Sequence, residues 1–274
     1  MRGRAKVANA VARTRARKRF GQHFLHDPEV IGRIIACIGT RPGEALLEIG
    51  PGQGALTAPL LAAAGALDVV EIDRDLAAEL RAQYANQPGL RIHTADALEF
   101  DYSALSRQLG RPLRVVGNLP YNISTPLLFR LLAHSACIRD MHFMLQSEVV
   151  ERIVAVPGSK QYGRLGVMLA PHVRATRLLE IGPGAFRPAP RVWSAVVRLE
   201  VRPELPAWAA EPHYGAVVAA AFGQRRKTLR NALASVLSAA QIRDAGIDPG
   251  ARAETQAAEQ FGQLALAVAS GARL

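Results

Sequence analysis

The chain has 274 residues, 49% hydrophobic and 21% charged, the profile of an ordinary globular protein long enough to bury a sizeable core. Its two cysteines, Cys37 and Cys137, and its seven histidines form neither a disulfide framework nor a metal-ligand spacing, so no metal is expected. A net charge of +11 favours a polyanionic partner such as nucleic acid, and no apolar run approaches the length of a membrane span.

The first 20 residues hold Arg2, Arg4, Lys6, Arg13, Arg15, Arg17, Lys18 and Arg19 with no acidic residue. Such an arm neutralises phosphates and makes binding salt-dependent; the competing readings are a solvated tail and an Arg-rich targeting peptide. No apolar signal core follows it, so secretion is disfavoured and a cytoplasmic protein is expected.

From about residue 28 to 200, short apolar runs alternate with amphipathic stretches. The first helix is predicted over 27–38, with Asp27 as N-cap and Pro28 at the first helical position. Strands are predicted at 45–49, 67–72, 90–94, 113–116, 141–145, 173–181 and 192–201, with helices at 56–64 and 76–84. This alternation implies an α/β fold with a doubly wound parallel sheet and a ligand at the carboxyl ends of its strands. The last two strands have no helix between them, and 182–190 turns the chain, so they are expected as an antiparallel pair at one edge. Pro and Glu around 202–206 suggest a boundary near 203, after which the chain reads as helical and Ala-rich. The expected division is a basic arm (1–16), a catalytic domain (17–202) and a helical domain (203–274). A second basic cluster, Arg225, Arg226, Lys227 and Arg230, lies in that last part between apolar residues at helical spacing.

The string Leu-Leu-Glu-Ile-Gly-Pro-Gly occurs at 46–52 and again at 178–184. After the first copy come Gln53, Gly54 and a helix-compatible run that aims backbone N–H groups at a ligand. After the second come Phe186, Pro188 and Pro190, which break any helix, so this copy is expected to be a turn. The first loop, with Gly50 and Gly52, departs from the Gly-x-Gly-x-x-Gly dinucleotide fingerprint. Glu71 follows Gly50 by 21 residues, at the end of the second strand, where a carboxylate accepts from both hydroxyls of a ribose. Asp96 and Ala97 follow the third strand and suit an adenine amine and ring; taken alone, Asp96 reads equally as a helix N-cap. Asn118-Leu119-Pro120-Tyr121 ends the fourth strand. The Asn118 oxygen and a main-chain carbonyl near Leu119 or Pro120 can accept the two hydrogens of an aryl amine, drawing its nitrogen toward tetrahedral geometry. Tyr121 can stack on the base, its alternative being a packing residue after a Pro turn.

The series EIGPGQG, Glu71, ADAL and NLPY is similar to the methyltransferases that act on adenine N6. More narrowly, Arg17 to Leu25 (RKRFGQHFL) and Phe186 to Ser194 (FRPAPRVWS) resemble the small-subunit (16S) ribosomal RNA adenine N6,N6-dimethyltransferases, from residue 17 to the C-terminus. The resemblance implies a class I, Rossmann-like methyltransferase sheet and S-adenosyl-L-methionine as cofactor. It implies as substrate two adjacent adenosines near the 3′ end of 16S RNA, within the small subunit or its precursor, and a monomer. It puts His23 and Leu25 against the cofactor, Gly50 under its methionine part, Glu71 at the ribose, Asp96 at the adenine and Asn118 at the sulfonium and target amine. Tyr121 and Phe186 would sandwich the target base; the alternative for Phe186 is a turn aromatic covering the core edge. Where relatives commonly carry Asn, this chain has His23. Rival readings are the same chemistry on large-subunit RNA or DNA, a non-catalytic RNA-binding assembly factor, and a nicotinamide oxidoreductase. The glycine spacing disfavours the last of these.

Overall fold

The structure, a computed structural model, describes residues 23–120, 123–224 and 226–271. Arg17, Lys18, Arg19, Tyr121, Arg225 and the arm of residues 1–16 lie outside the described residues. Two short strands, β1 (Phe24–Leu25) and β8 (Phe186–Arg187), pair antiparallel with each other. The other seven, β2 (Ala45–Ile49), β3 (Leu67–Glu71), β4 (Leu90–Thr94), β5 (Leu113–Asn118), β6 (Ile138–Gln146), β7 (Val173–Ile181) and β9 (Ser194–Val201), form one sheet. Its order is β4-β3-β2-β5-β6-β9-β7, with β4 to β6 parallel and β9 antiparallel to both neighbours. The expected antiparallel pair is present at one end of the sheet, with β7 at that edge, β9 inside it and β4 at the opposite edge.

The apolar strands read as they do because both faces of the sheet are covered. Leu46, Val116, Met144 and Val196 enter one hydrophobic cluster, and their chain neighbours Leu47, Val115, Phe143 and Val197 enter another. This is the two-residue period of a pleated strand, with an apolar layer on each side. On these faces lie α1 (Pro28–Ile38), α2 (Thr57–Ala64), α3 (Arg74–Gln83), α4 (Tyr102–Leu109), α5 (Ser124–Leu132), α6 (Ser147–Val154) and α7 (Arg164–Leu169). The start of α1 is set locally: the Asp27 side chain accepts from the N–H groups of Glu29 and Val30, Pro28 opens the helix, and Gly39 ends it at φ 59°.

Beyond the sheet come α8 (Tyr214–Gly223), α9 (Leu229–Ala232), α10 (Ala239–Asp244) and α11 (Ala258–Gly271). Their cluster, with Val218, Leu229, Ile242 and Phe261, also takes in Tyr162 and Val167. Two buried hydroxyls reinforce that join: Tyr162 donates to Gln256 O at 2.8 Å and Tyr214 to Val167 O at 2.9 Å. The expected helical run through the second basic cluster is broken. Leu229 N–H donates to Ala251 O and Arg230 N–H to Pro249 O, so these amides find partners in a distant loop and the chain turns between α8 and α9. Arg226, Lys227 and Arg230 are all exposed or partly exposed there. Among the described residues no helix is long and apolar enough to cross a membrane.

Candidate active site

A reversal of strand order makes the site. From β2 the chain winds outward through β3 and β4, then returns to the far side of β2 for β5, which opens a crevice at the carboxyl ends of β2 and β5. Along that edge the order is Asp96 past β4, Glu71 at the end of β3, Gly50 past β2 and Asn118 at the end of β5. Three strand spacings cover roughly 14 Å. All four residues line one cavity, joined by His23, Phe24, Leu25, Gly52, Ala97, Leu119 and Pro120.

The glycine loop has Gly50, Gly52 and Gly54 at φ of 64°, 56° and 79°. At Gly52 a Cβ would lie 3.1 Å from the Phe24 ring, so glycine is required there for both space and backbone conformation. The Gly52 N–H donates to Glu71 Oε2 at 3.2 Å, and the Asp73 N–H donates to Oε1 at 2.9 Å. Burial pushes the Glu71 carboxyl up, and these backbone donors pull against it. Asp96 caps a turn: its Oδ1 accepts Leu98 N–H at 2.8 Å, while the following helix, α4, is capped by Asp101. The helix N-cap alternative for Asp96 is therefore not what the chain adopts.

Glu48 is a site residue that sequence reasoning missed. It lies in β2, lines the cavity, and is 2% exposed. Burial pushes its carboxyl up to about 7; the Thr57 hydroxyl, donating to Oε2 at 2.7 Å, opposes this, and nearby Glu71 adds to it. The available signal was a lone acid in an otherwise apolar strand directly before the glycine loop. With Glu71 and Asp96 it makes the cavity wall acidic, and no Lys or Arg is among the described lining residues.

At the other end, the Asn118 Nδ2 donates to the main-chain oxygen of His23 at 3.0 Å. A carbonyl oxygen only accepts, so this contact fixes the amide orientation and leaves Oδ1 as the acceptor. The main chain beyond is held by Leu119 N–H to Met144 O and Ile123 N–H to Pro120 O, each 3.2 Å. Leu119 lines the cavity and is 1% exposed. β5 also approaches β2 closely: a Cβ on Gly117 would stand 2.6 Å from Ile49 O. His23 reaches Asn118 through its backbone, while its ring Nδ1–H donates to Pro188 O at 2.7 Å. The Asn118 contact is therefore independent of the His23 side chain.

Phe186 departs from expectation. It is 2% exposed, pairs with Leu25 and packs in the cluster behind the sheet, so its ring does not line the cavity. The cause is the β1–β8 pairing, which turns this side chain inward, as in the core-covering alternative. The other half of the expected sandwich, Tyr121, lies outside the described residues. The second Leu-Leu-Glu-Ile-Gly-Pro-Gly copy is a strand running into a tight turn, as expected from its prolines. Among the described residues no group of His, Cys, Asp and Glu is arranged to hold a metal ion.

The family model described as ribosomal RNA adenine dimethylase matches residues 13–270. A ribosomal RNA small subunit methyltransferase A from Marinobacter nauticus is 52% identical over 260 residues, covering 94% of each chain. The protein of that name from Aromatoleum aromaticum is 57% identical over 241 residues, covering 88% of this chain and 89% of its own. Among solved structures, a dimethyladenosine transferase from Plasmodium falciparum shares the fold, with TM-score 0.71 and 22% identity over 88% of this chain and 96% of its own. The 23S rRNA methyltransferase ErmE gives TM-score 0.68 and 27% identity over 90% of this chain and 99% of its own.

Proposed function

The chain belongs to the ribosomal RNA adenine dimethylase family, and on that premise we propose that it dimethylates N6 of two adjacent adenosines near the 3′ end of small-subunit 16S RNA, using S-adenosylmethionine, during ribosome biogenesis. The observation that carries this reading is the charge of the cavity. Glu48, Glu71 and Asp96 line it without a described cation, in a protein of net charge +11. Three carboxyl groups repel the pyrophosphate of a dinucleotide and attract a cationic sulfonium nucleoside.

The residues fit that cofactor part by part. Asp96 and Ala97 serve its adenine, Glu71 its ribose, and Gly50, Gly52, His23 and Leu25 its methionine portion. Without a Cβ, Gly52 leaves the Phe24 ring uncrowded beside the loop. When bound, S-adenosylmethionine supplies a methyl group activated by its sulfonium. Asn118 Oδ1, held as an acceptor by the His23 contact, takes one hydrogen of the target amine. The Leu119 or Pro120 carbonyl takes the other, and Tyr121 stacks on the base. Catalysis is positioning plus acceptors aimed at the nitrogen as it becomes positive. Its displaced proton passes to water. After the first transfer one hydrogen remains, and Asn118 alone suffices to hold it. Phe186, being buried, anchors the β1–β8 pair instead of stacking.

A target base must be unstacked to enter such a cavity, which favours an RNA loop over a duplex. Residues 17–202 carry the chemistry. The 1–16 arm, Arg17, Lys18, Arg19 and the helical 203–274 part, with Arg225, Arg226, Lys227 and Arg230, bind the ribosomal RNA in the small subunit or its precursor. The protein is taken to act as a monomer in the cytoplasm, where ribosomal RNA is assembled into subunits. The test is nucleoside mass spectrometry of small subunits lacking adenine dimethylation, incubated with the protein and S-adenosylmethionine. N6,N6-dimethyladenosine is expected; its absence while the cofactor binds would overturn the proposal.

A further inference from the structure

Trp193 stands on the same edge of the sheet as Asn118. Asn118 faces Met144 of β6, and Gln146, two residues on, faces Ser194, the first residue of β9. Trp193 precedes Ser194, so two strand spacings and three residue rises put its main chain roughly 14 Å from that of Asn118. Its carbonyl accepts the Ser147 N–H at 2.9 Å, and the far edge of its indole lies over Gly182, where a Cβ would be 3.6 Å from the ring. The side chain is nonetheless 55% exposed.

Single exposed apolar residues need no explanation; this one differs in its anchoring and its company. The segment 186–193 is tied at Pro188 to the His23 ring, and His23 in turn holds Asn118. The indole is therefore held in register with the catalytic amide. Arg187 and Arg191 of the same segment are exposed, and among the described residues neither has a carboxylate at ion-pair distance. The segment that bonds the cavity-lining His23 is thus cationic and aromatic, while the cavity itself is acidic. Such a segment suits a sugar–phosphate backbone, which the acidic cavity wall repels.

We propose that Trp193 is a stacking platform for an unpaired base next to the target adenosine in the substrate RNA, with Arg187 and Arg191 meeting the adjoining phosphates; this rests on the RNA-methylating function above. The separation from Asn118 is too great for the target base itself, so the platform serves a neighbouring nucleotide. Base–aromatic stacking tolerates any base and makes the contact one of position instead of sequence.

The experiment uses the full chain in three forms: unchanged, Trp193→Ala and Trp193→Phe. With unmethylated small subunits, Trp193→Ala is expected to raise KM roughly 5- to 150-fold, with kcat and cofactor Kd within about twofold. Trp193→Phe should recover most of the loss, because a phenyl ring still stacks. In parallel, a short single-stranded adenylate RNA should quench the fluorescence difference between the unchanged chain and Trp193→Phe, and the matching duplex should not. An unaltered KM in Trp193→Ala, a loss that Phe fails to recover, or no selective quenching would each overturn the platform. Absence of methylation by the unchanged chain would instead overturn the proposed function, and the quenching would still decide for or against Trp193.

Discussion

Replacing Glu48 by Gln probes the acidic cavity at its most buried group. Burial holds the Glu48 carboxyl at about 7 against 4.5 in the open chain. Unfolding restores the lower value, so between these pH values the unfolded chain releases a proton that the folded chain keeps. The folded state is therefore free of this penalty below about 4.5, loses stability as pH rises, and bears the full loss above about 7. The interval corresponds to roughly 3 kcal/mol. Gln retains an oxygen to accept the Thr57 hydroxyl and has nothing to titrate. The variant is expected to match the unchanged protein in acid and to exceed its stability by roughly 3 kcal/mol at pH 8, a gain in Tm of roughly 6–12 °C. Urea unfolding of both proteins across this pH range, without cofactor, measures the difference. Curves that stay parallel at every pH would refute the burial argument for Glu48. The same substitution removes an ionisable acid from the cavity wall, so affinity for the cationic cofactor at pH 8 should fall as stability rises.

Asn118→Ala is expected to lower methyl transfer roughly 10²- to 10³-fold, with cofactor affinity nearly unchanged. Glu71→Ala should instead weaken cofactor binding roughly 10- to 100-fold, because charge-assisted hydrogen bonds to the ribose disappear, and calorimetry showing the reverse pattern would sink both roles. Gly52→Ala must hold a left-handed backbone at a cost of about 1–2 kcal/mol and displace the Phe24 ring, so Kd for the cofactor should rise at least roughly fivefold; an unchanged Kd would count against the loop's role. Deleting residues 1–16 removes Arg2, Arg4, Lys6, Arg13 and Arg15. It should weaken RNA binding and flatten its salt dependence by roughly 0.7–0.9 for each phosphate no longer neutralised, without abolishing chemistry; an unchanged slope would make the arm a bystander.

Much of this site is legible in the sequence because its parts sit at strand ends, and strand ends announce themselves. Gly50, Glu71, Asp96 and Asn118 each follow an apolar run, and each lines the cavity. Glu48 escapes such a reading because an acid inside a strand has no local signature; its role comes from burial between Thr57 and Glu71. The family resemblance makes Phe186 a stacking residue, yet pairing with Leu25, far away in the chain, turns it into the core. The basic segment before Arg230 reads as helix because apolar residues fall at that spacing, while the amides of Leu229 and Arg230 bond to residues 249–251.

What the sequence by itself determined are the features governed by a few neighbouring residues. Examples are the Asp27–Pro28 helix start, the left-handed glycine loop, the alternating burial of the strands and the polar amide at the end of β5. Backbone sterics and pleat periodicity act over one to four residues, so composition in a short window suffices. Only the tertiary structure decided the sheet order that lines up Asp96, Glu71, Gly50 and Asn118 along one edge. It alone decided the contact from Asn118 to a carbonyl 95 residues away, and the burial that raises Glu48. Hydrogen-bond partners and the dielectric around a carboxyl depend on whatever the rest of the chain brings into contact, and no local window contains that.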